Sequence, residues 1–251
     1  MKKIILLLLA PIFCFSQNSP STLIFSEYGE GSSFNKWIEI YNPTNQQINM
    51  DEYRYNFCWN GCDSLLWEFS LAFDSGRVLM SGETYLIVHN NADSILLNNA
   101  DQITNLLSNG NDVCAIFNLP TNSVIDIIGE FTDVSPNDGW DIELNTNATK
   151  NQTLIRKDSI CGGNFGNWNQ SNGLGSISSS EWIVNSQDDF SDINNHNSIC
   201  TSTPSSVSDN SRNKKIIKIV NIFGQKVNQK TKNTPIIYIY DDGSSKKIIN
   251  K

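Results

Sequence analysis

Nine short runs rich in Ile, Val, Tyr, Phe and Trp recur along the chain, each closed off by a cluster of Asn, Ser, Asp or Gly. They fall at residues 23–28, 37–41, 53–59, 66–73, 85–89, 113–118, 123–128, 153–156 and 182–184. β-branched and aromatic side chains suit a pleated, half-buried surface, and the polar clusters between them supply turns. The pattern predicts an all-β sandwich or barrel, not a βαβ fold. One stretch, residues 93–107, carries a helical signature: Ile95, Leu96, Ala100, Ile103, Leu106 and Leu107 approximate the helix period. Asn98, Asn99 and Asp101 interrupt it, so short helical turns are expected there in place of one long helix.

Charge divides the chain. Residues 17–211 hold six Lys or Arg against twenty-four Asp or Glu, a balance of about −18, whereas residues 212–251 hold ten against two, about +8. A step of this size marks parts with different jobs. At the other end, Lys2 and Lys3 precede the apolar residues 4–15, and polar Ser16-Gln17-Asn18 follows. This is the layout of a secretory signal peptide and is too short to span a membrane, so residues 1–16 are expected to be removed, leaving Gln17 first. Phe13 stands where processing of Cys14 as a lipoprotein would require a small residue. The organisation read from sequence is therefore a signal peptide (1–16), one body domain (17–200), a Ser/Asn-rich linker (201–213) and a small basic β-module (214–251). No later segment has the length of apolar residues that a spanning helix needs.

Within the body, Asn35-Lys36-Trp37-Ile38-Glu39-Ile40-Tyr41-Asn42-Pro43-Thr44 resembles the signature strand of the lamin-tail domain. Ile48 to Tyr53, Ser81 to Val88, Asn109 to Ile116, Ser123 to Gly129, Thr153 to Lys157 and Glu181 to His196 follow in the family's order. Glu52 replaces the family's usual turn glycine, and the 137–151 loop carries no landmark beyond Trp140. The resemblance implies an immunoglobulin-like β-sandwich. On its signature strand Ile38 and Ile40 share one face, and Trp37, Glu39 and Tyr41 share the other. A Glu among aromatic neighbours on a half-buried strand needs donors, so Glu39 is expected to accept from backbone amides or from Thr or Asn side chains of a neighbouring loop.

The tail resembles the type A C-terminal sorting domain of the Bacteroidetes type IX secretion system. The residues that carry this are Lys218 to Val227, then Pro235 to Ser244 with its Tyr238-Ile239-Tyr240-Asp241-Asp242-Gly243, and the basic close Lys246-Lys247-Ile248-Ile249. Each of its two runs reads as a strand pair with its own turn, at Asn221 to Gly224 and Asp241 to Gly243. The resemblance implies secretion through the periplasm to the medium or the outer cell surface, with the type IX machinery as the partner of residues 214–251.

Five cysteines remain after the signal peptide: Cys58, Cys62, Cys114, Cys161 and Cys200. In an oxidising compartment disulfides persist. The spacing of Cys58 and Cys62 suits closure of a tight turn, and a Cys161–Cys200 bond would tie the last strand's exit to the body. Cys114 falls in the family's inner strand and is expected to be buried. A zinc site at Cys58 and Cys62 is the alternative, but the only histidines to complete it are His89 and His196.

Catalytic motifs are missing from the sequence: there is no phosphate-binding Gly-rich loop, nucleophile elbow or His-Glu-x-x-His. Both histidines lie in Asn-rich stretches expected to be solvated. The 133–141 stretch, with Asp133, Asp138 and Asp141, offers oxygen ligands of the kind calcium takes, though without EF-hand spacing. Nucleic acid is opposed by the body's negative charge. The expected function is a non-catalytic extracellular binding or structural module for a protein or glycan ligand, needing no cofactor. The competing class is a metal-assisted hydrolase, or a nuclease-associated domain, using Asp133, Asp138, Asp141 and His196. Finally, Asp63-Ser64-Leu65, Asp93-Ser94-Ile95 and Asp158-Ser159-Ile160 resemble the Asp-Ser/Thr-apolar sequon of Bacteroidetes O-glycosylation, which implies glycans on Ser64, Ser94 and Ser159.

Overall fold

The computed structural model describes residues 22–174, 179–200, 216–221, 225–227, 235–240 and 245–249. The chain forms two compact units that divide between Ser202 and Thr203. The signal-peptide and linker expectations, residues 1–16 and 201–213, lie outside the described residues.

In the first unit the strands are β1 (Ile24–Glu30), β2 (Lys36–Tyr41), β3 (Ile48–Asn49), β4 (Tyr53–Cys58), β5 (Phe69–Ala72), β6 (Val78–Leu79), β7 (Thr84–His89), β8 (Gln102–Thr104), β9 (Val113–Asn118), β10 (Ser123–Ile128), β11 (Thr153–Arg156) and β12 (Trp182–Asn185). Two short helices, α1 (Ser94–Leu97) and α2 (Trp168–Ser171), complete it. The strands make a six-stranded sheet, β12-β11-β1-β2-β7-β8, a four-stranded sheet, β10-β9-β4-β5, and a small β3–β6 ladder. All pairings are antiparallel except β7 with β8. The result is an all-β, immunoglobulin-like sandwich, as expected.

All nine sequence-read runs are strands. Two strands were not anticipated, β6, too short to show a period, and β8; of the stretch Ile48 to Tyr53 that resembles a family strand, Ile48–Asn49 pairs as β3 and Met50–Glu52 turns as a 3-10 helix before β4. β8 lies inside the stretch that approximates a helix. Asp93 caps α1 by accepting from Ile95 N at 2.8 Å, but the helix ends after one turn. Asp101 then takes over, its carboxylate accepting from Leu86 N at 2.9 Å while its own N–H donates to Leu86 O at 2.9 Å. The edge of β7 thereby draws residues 102–104 into the sheet, where pairing outweighs a weak local preference. Leu66, read as strand, is a loop residue ahead of β5.

The sheets enclose a core to which the larger contributes Phe25, Ile38, Ile40, Tyr85 and Ile87, and the smaller Tyr55, Phe57, Cys114, Ile116 and Ile127. Strict alternation of small sets from facing strands fills a sandwich of this kind. One ion pair crosses that core. Arg156 of β11 donates to Asp126 of β10 at 2.9 Å, with both side chains wholly buried. Asp126 also accepts from Phe25 N and Asn164 N. Arg156 continues to Glu181 at 2.7 Å and stacks over the Trp182 ring at 4.6 Å.

The expectation that β2 is half-buried is corrected. Trp37, Ile38, Glu39, Ile40 and Tyr41 are all buried, because the outer face of the six-stranded sheet is covered too. Trp37, Leu86, Val88, Ala92 and Leu96 form a second apolar cluster there, with Phe190 and Ile193 packed on it. A Cβ on Gly29 would stand 2.3 Å from the Trp37 ring, so that position must be glycine for the indole to lie flat across β1.

The second unit is a three-stranded antiparallel sheet of β13 (Ile216–Asn221), β14 (Pro235–Tyr240) and β15 (Ser245–Ile249), in that order. Val220, Ile236 and Tyr238 are buried in it. The second sequence-read run is a strand pair, β14 with β15. In the first, among the described residues, β13 is met by a bridge between Val220 and Lys226 and by Val227 N donating to Ile219 O. The turn residues 222–224 and 241–243 lie outside the described residues.

Candidate functional site

Alternation along β2 sends Trp37, Glu39 and Tyr41 to the outer face, where residues 186–196 cross as a strap. Glu39 accepts from Ser26 Oγ at 2.7 Å and from the backbone N–H of Asn194 in the strap at 2.6 Å. The donors are thus one strap amide and a serine of β1. Burial pushes the Glu39 carboxyl up to about 7, against the pull of those two hydrogen bonds. Glu27 lies directly opposite Glu39 in the β1–β2 ladder. It is 1 % exposed, and neither of its oxygens has a hydrogen-bond partner. Burial first, and then the charges of Glu39, Asp192 and Asp189, push it up to about 9.

The histidines are packing residues, not solvated ones. His196 is 8 % exposed, meets the Tyr41 ring edge-on at 4.7 Å and lies 3.9 Å from Asp192. Burial, and then Arg156, push it down to about 4. His89 stacks on Phe34 at 4.9 Å and accepts from Asn91 N. Beside the strap opens a polar cleft of about 440 Å³ lined by Arg77, Glu83, Thr84, Asp101, Asn194 and His196, among others.

The structure separates the residues of the hydrolase reading. Asp138 is engaged by Lys150, and Asp141 accepts from Asn147 N at 2.8 Å. His196 belongs to the strap, with Asp192 and Tyr41. Among the described residues no three His, Cys, Asp or Glu side chains are grouped to hold a metal ion. Within the 133–141 loop the fixed point is Trp140, whose indole N–H donates to Asp112 O at 2.8 Å.

Cys58 and Cys62 are joined, with Cα atoms 5.1 Å apart, which occupies both sulfurs that the zinc reading would need. Cys161 and Cys200 are joined at 5.2 Å. Cys114 is free and buried, and burial pushes its thiol up to about 12. The Cys58–Cys62 turn is held further by Cys62 N donating to Thr132 O and Trp59 N to Glu68. Ser64, Ser94 and Ser159 are all exposed. Ser64 lies in a 3-10 turn with a left-handed φ of 56°, Ser94 opens α1, and Ser159 lies in the turn after β11.

Sequence reasoning missed Glu27 and the Arg156–Asp126 pair. An acid within an apolar run was the available signal in each case: Glu27 in residues 23–28 and Asp126 in residues 123–128.

The family model of the Lamin Tail Domain matches residues 16–131 of this immunoglobulin-like chain. No curated protein matches it. The sandwich reaches beyond the matched span: β11 pairs with β1 and β12 with β11, so the six-stranded sheet is closed by residues 153–185. Among the described residues no helix is long and apolar enough to cross a membrane.

Proposed function

We propose that the whole body, residues 17–200, is one lamin-tail domain exported from a Bacteroidetes cell, acting at the cell surface or in the medium as a non-catalytic binding or structural module. The basic unit that follows it is the type IX sorting signal. The observation that carries this reading is the tail itself: a compact, basic three-stranded unit, distinct from an acidic sandwich, whose strands bear the residues resembling a sorting domain. Two disulfides in the body fit an oxidising compartment. The polar cleft beside the strap, with its amides, carboxylates and Arg77, suits a hydroxyl-rich or peptide ligand. The body's charge of about −17 opposes nucleic acid.

Deleting residues 235–251 tests the export claim. The truncated protein is expected in the periplasm of the producing cell, with little in the medium. Truncated protein in the medium at full-length yield would overturn the assignment.

O-glycosylation of Ser64, Ser94 and Ser159 belongs to the same reading. Each serine is exposed, so a bulky glycan would project into solvent without entering the core. Intact-mass measurement of protein from the producing organism should show hexose-sized increments, lost stepwise on Ser→Ala at each position. A single unmodified mass starting at Gln17 would refute it.

A further inference from the structure

The charged groups facing Glu27 are all acids: Glu39 from β2, and Asp192 and Asp189 from the strap. Asp101 adds to the field on Glu39, and His196 faces Asp192 at 3.9 Å. The Trp37 indole N–H beside Glu27 lies outside hydrogen-bond geometry, so it and both carboxylate oxygens stand buried without partners. An ionised carboxylate placed there has no counter-charge and only the poorly aligned Trp37 N–H as a donor, and burying it so is prohibitive unless it is neutralised. The missing positive charge is an ion or a proton. No three of these acids are arranged to ligate one ion, whereas a proton needs only Glu27 itself.

We propose that residues 186–196 form a proton-held strap: a neutral Glu27 lets the strap close on the six-stranded sheet, and loss of that proton releases it. The closed strap is fastened by Asn194, whose N–H donates to Glu39 at 2.6 Å and whose side chain donates to Asn99 O at 2.9 Å. Phe190 lies 5.2 Å from the Trp37 ring, and Ile193 packs into the same cluster. Asp188 adds hydrogen bonds from Ser32 N and Asn35 Nδ2, and Asp189 N donates to Thr153 Oγ1. The apolar contacts belong to the outer cluster and not to the core between the sheets, so the strap can open without global unfolding. Opening returns Glu27 to water and to an ordinary carboxyl value of 4.5, against about 9 when closed. Between those values the closed form holds a proton that the open form lacks. Through Glu27, closure weakens as pH rises across the interval, by up to about tenfold per pH unit; Glu39, held at about 7, adds in the same direction, and His196, held at about 4, opposes it below its ordinary 6.5. Asn194, Asn195 and His196 also wall the polar cleft, so the same event remodels it.

Hydrogen exchange read by mass spectrometry on the mature protein, corrected for intrinsic rates, tests this directly. Peptides covering 186–196 should lose protection steeply between about pH 5 and pH 9, approaching tenfold per unit, while those of β9 hold theirs. Glu27→Gln, neutral at every pH, should keep the strap protected at the alkaline end. A wild-type strap equally protected across the range, or a Glu27→Gln strap that opens as wild type does, would overturn the proposal. So would restoration of protection at high pH by excess calcium, since the missing charge would then be an ion. If Glu27→Gln does not fold, a carbon-13 NMR titration of the wild-type glutamate carboxyls decides. One still protonated at pH 8, above the range of Glu39, supports the strap, and a set in which none titrates above Glu39 sinks it.

Discussion

Replacing Arg156 with Ala should lower the unfolding free energy by about 3–5 kcal/mol, because it strands a carboxylate between the sheets. Asp126 and Arg156 have fully buried side chains 2.9 Å apart. With the guanidinium gone, Asp126 keeps only the backbone donors Phe25 N and Asn164 N. Glu181 loses its partner as well, and Trp182 loses the cation over its ring. A domain is stable by only about 5–15 kcal/mol, so this one truncation removes a large share. The effect should hold in high salt, since buried pairs are little screened. Removing both charges is different: Arg156→Met with Asp126→Leu should recover most of the loss, because an apolar pair of similar size needs no solvation. Urea unfolding of the wild type, Arg156→Met, Asp126→Leu and the double variant gives the cycle. A single-variant loss below about 1 kcal/mol, the range of exposed pairs, would mean that water reaches Asp126 and that the pair does not join the sheets.

That pair also shows where sequence legibility ends. The strands were readable because alternation and punctuation are local: all nine runs of β-formers are strands. Partners thirty residues apart are not local. Nothing near Asp126 in the chain announces Arg156, and nothing near Glu39 announces Asn194, which lies 155 positions away. The disposition of β2 failed for a related reason. Its alternation said which side chains share a face, and rightly grouped Ile38 with Ile40. It did not say that the second face is roofed, because the roof is an irregular segment whose apolar residues, Phe190 and Ile193, stand singly among Ser, Asp and Asn. β8 was hidden by the opposite effect, a helical spacing that the edge of β7 overrides.

The site follows the same division. Covalent and compositional signals, the cysteine spacings and the charge step, could be read directly. Glu27 could not, because a buried acid is conspicuous only once its neighbours are known. Seen from sequence, Glu27 is one acid inside the apolar run 23–28, which says nothing of its partners. In the fold it faces Glu39, Asp189 and Asp192, and the absence of a partner becomes its main property. The histidines erred in the reverse direction, since Asn-rich flanks suggested solvent while Tyr41 and Phe34 cover the rings.

Of the two disulfides, the one between Cys161 and Cys200 should matter more. It closes 39 residues, against 4 for Cys58–Cys62. Loop-closure entropy gives about 4 kcal/mol for the longer bridge and about 2 kcal/mol for the shorter, acting mainly on the unfolded chain. The longer bridge has a native-state role as well. It joins the segment after β11 to the end of the strap-bearing stretch, where Ile199 N donates to Asp158 O. Without it, residues 186–200 are attached only by the side-chain contacts over β2 and a few hydrogen bonds, and their local opening should become easier along with global unfolding. Cys161→Ser with Cys200→Ser is therefore expected to lower unfolding free energy by about 2–4 kcal/mol. The same pair should raise exchange in residues 186–196 at every pH. Cys58→Ser with Cys62→Ser should do less globally and leave the strap unchanged, since its loss frees only the turn next to Thr132 and Glu68. Equal losses from the two pairs would show that loop length is not what sets their contributions.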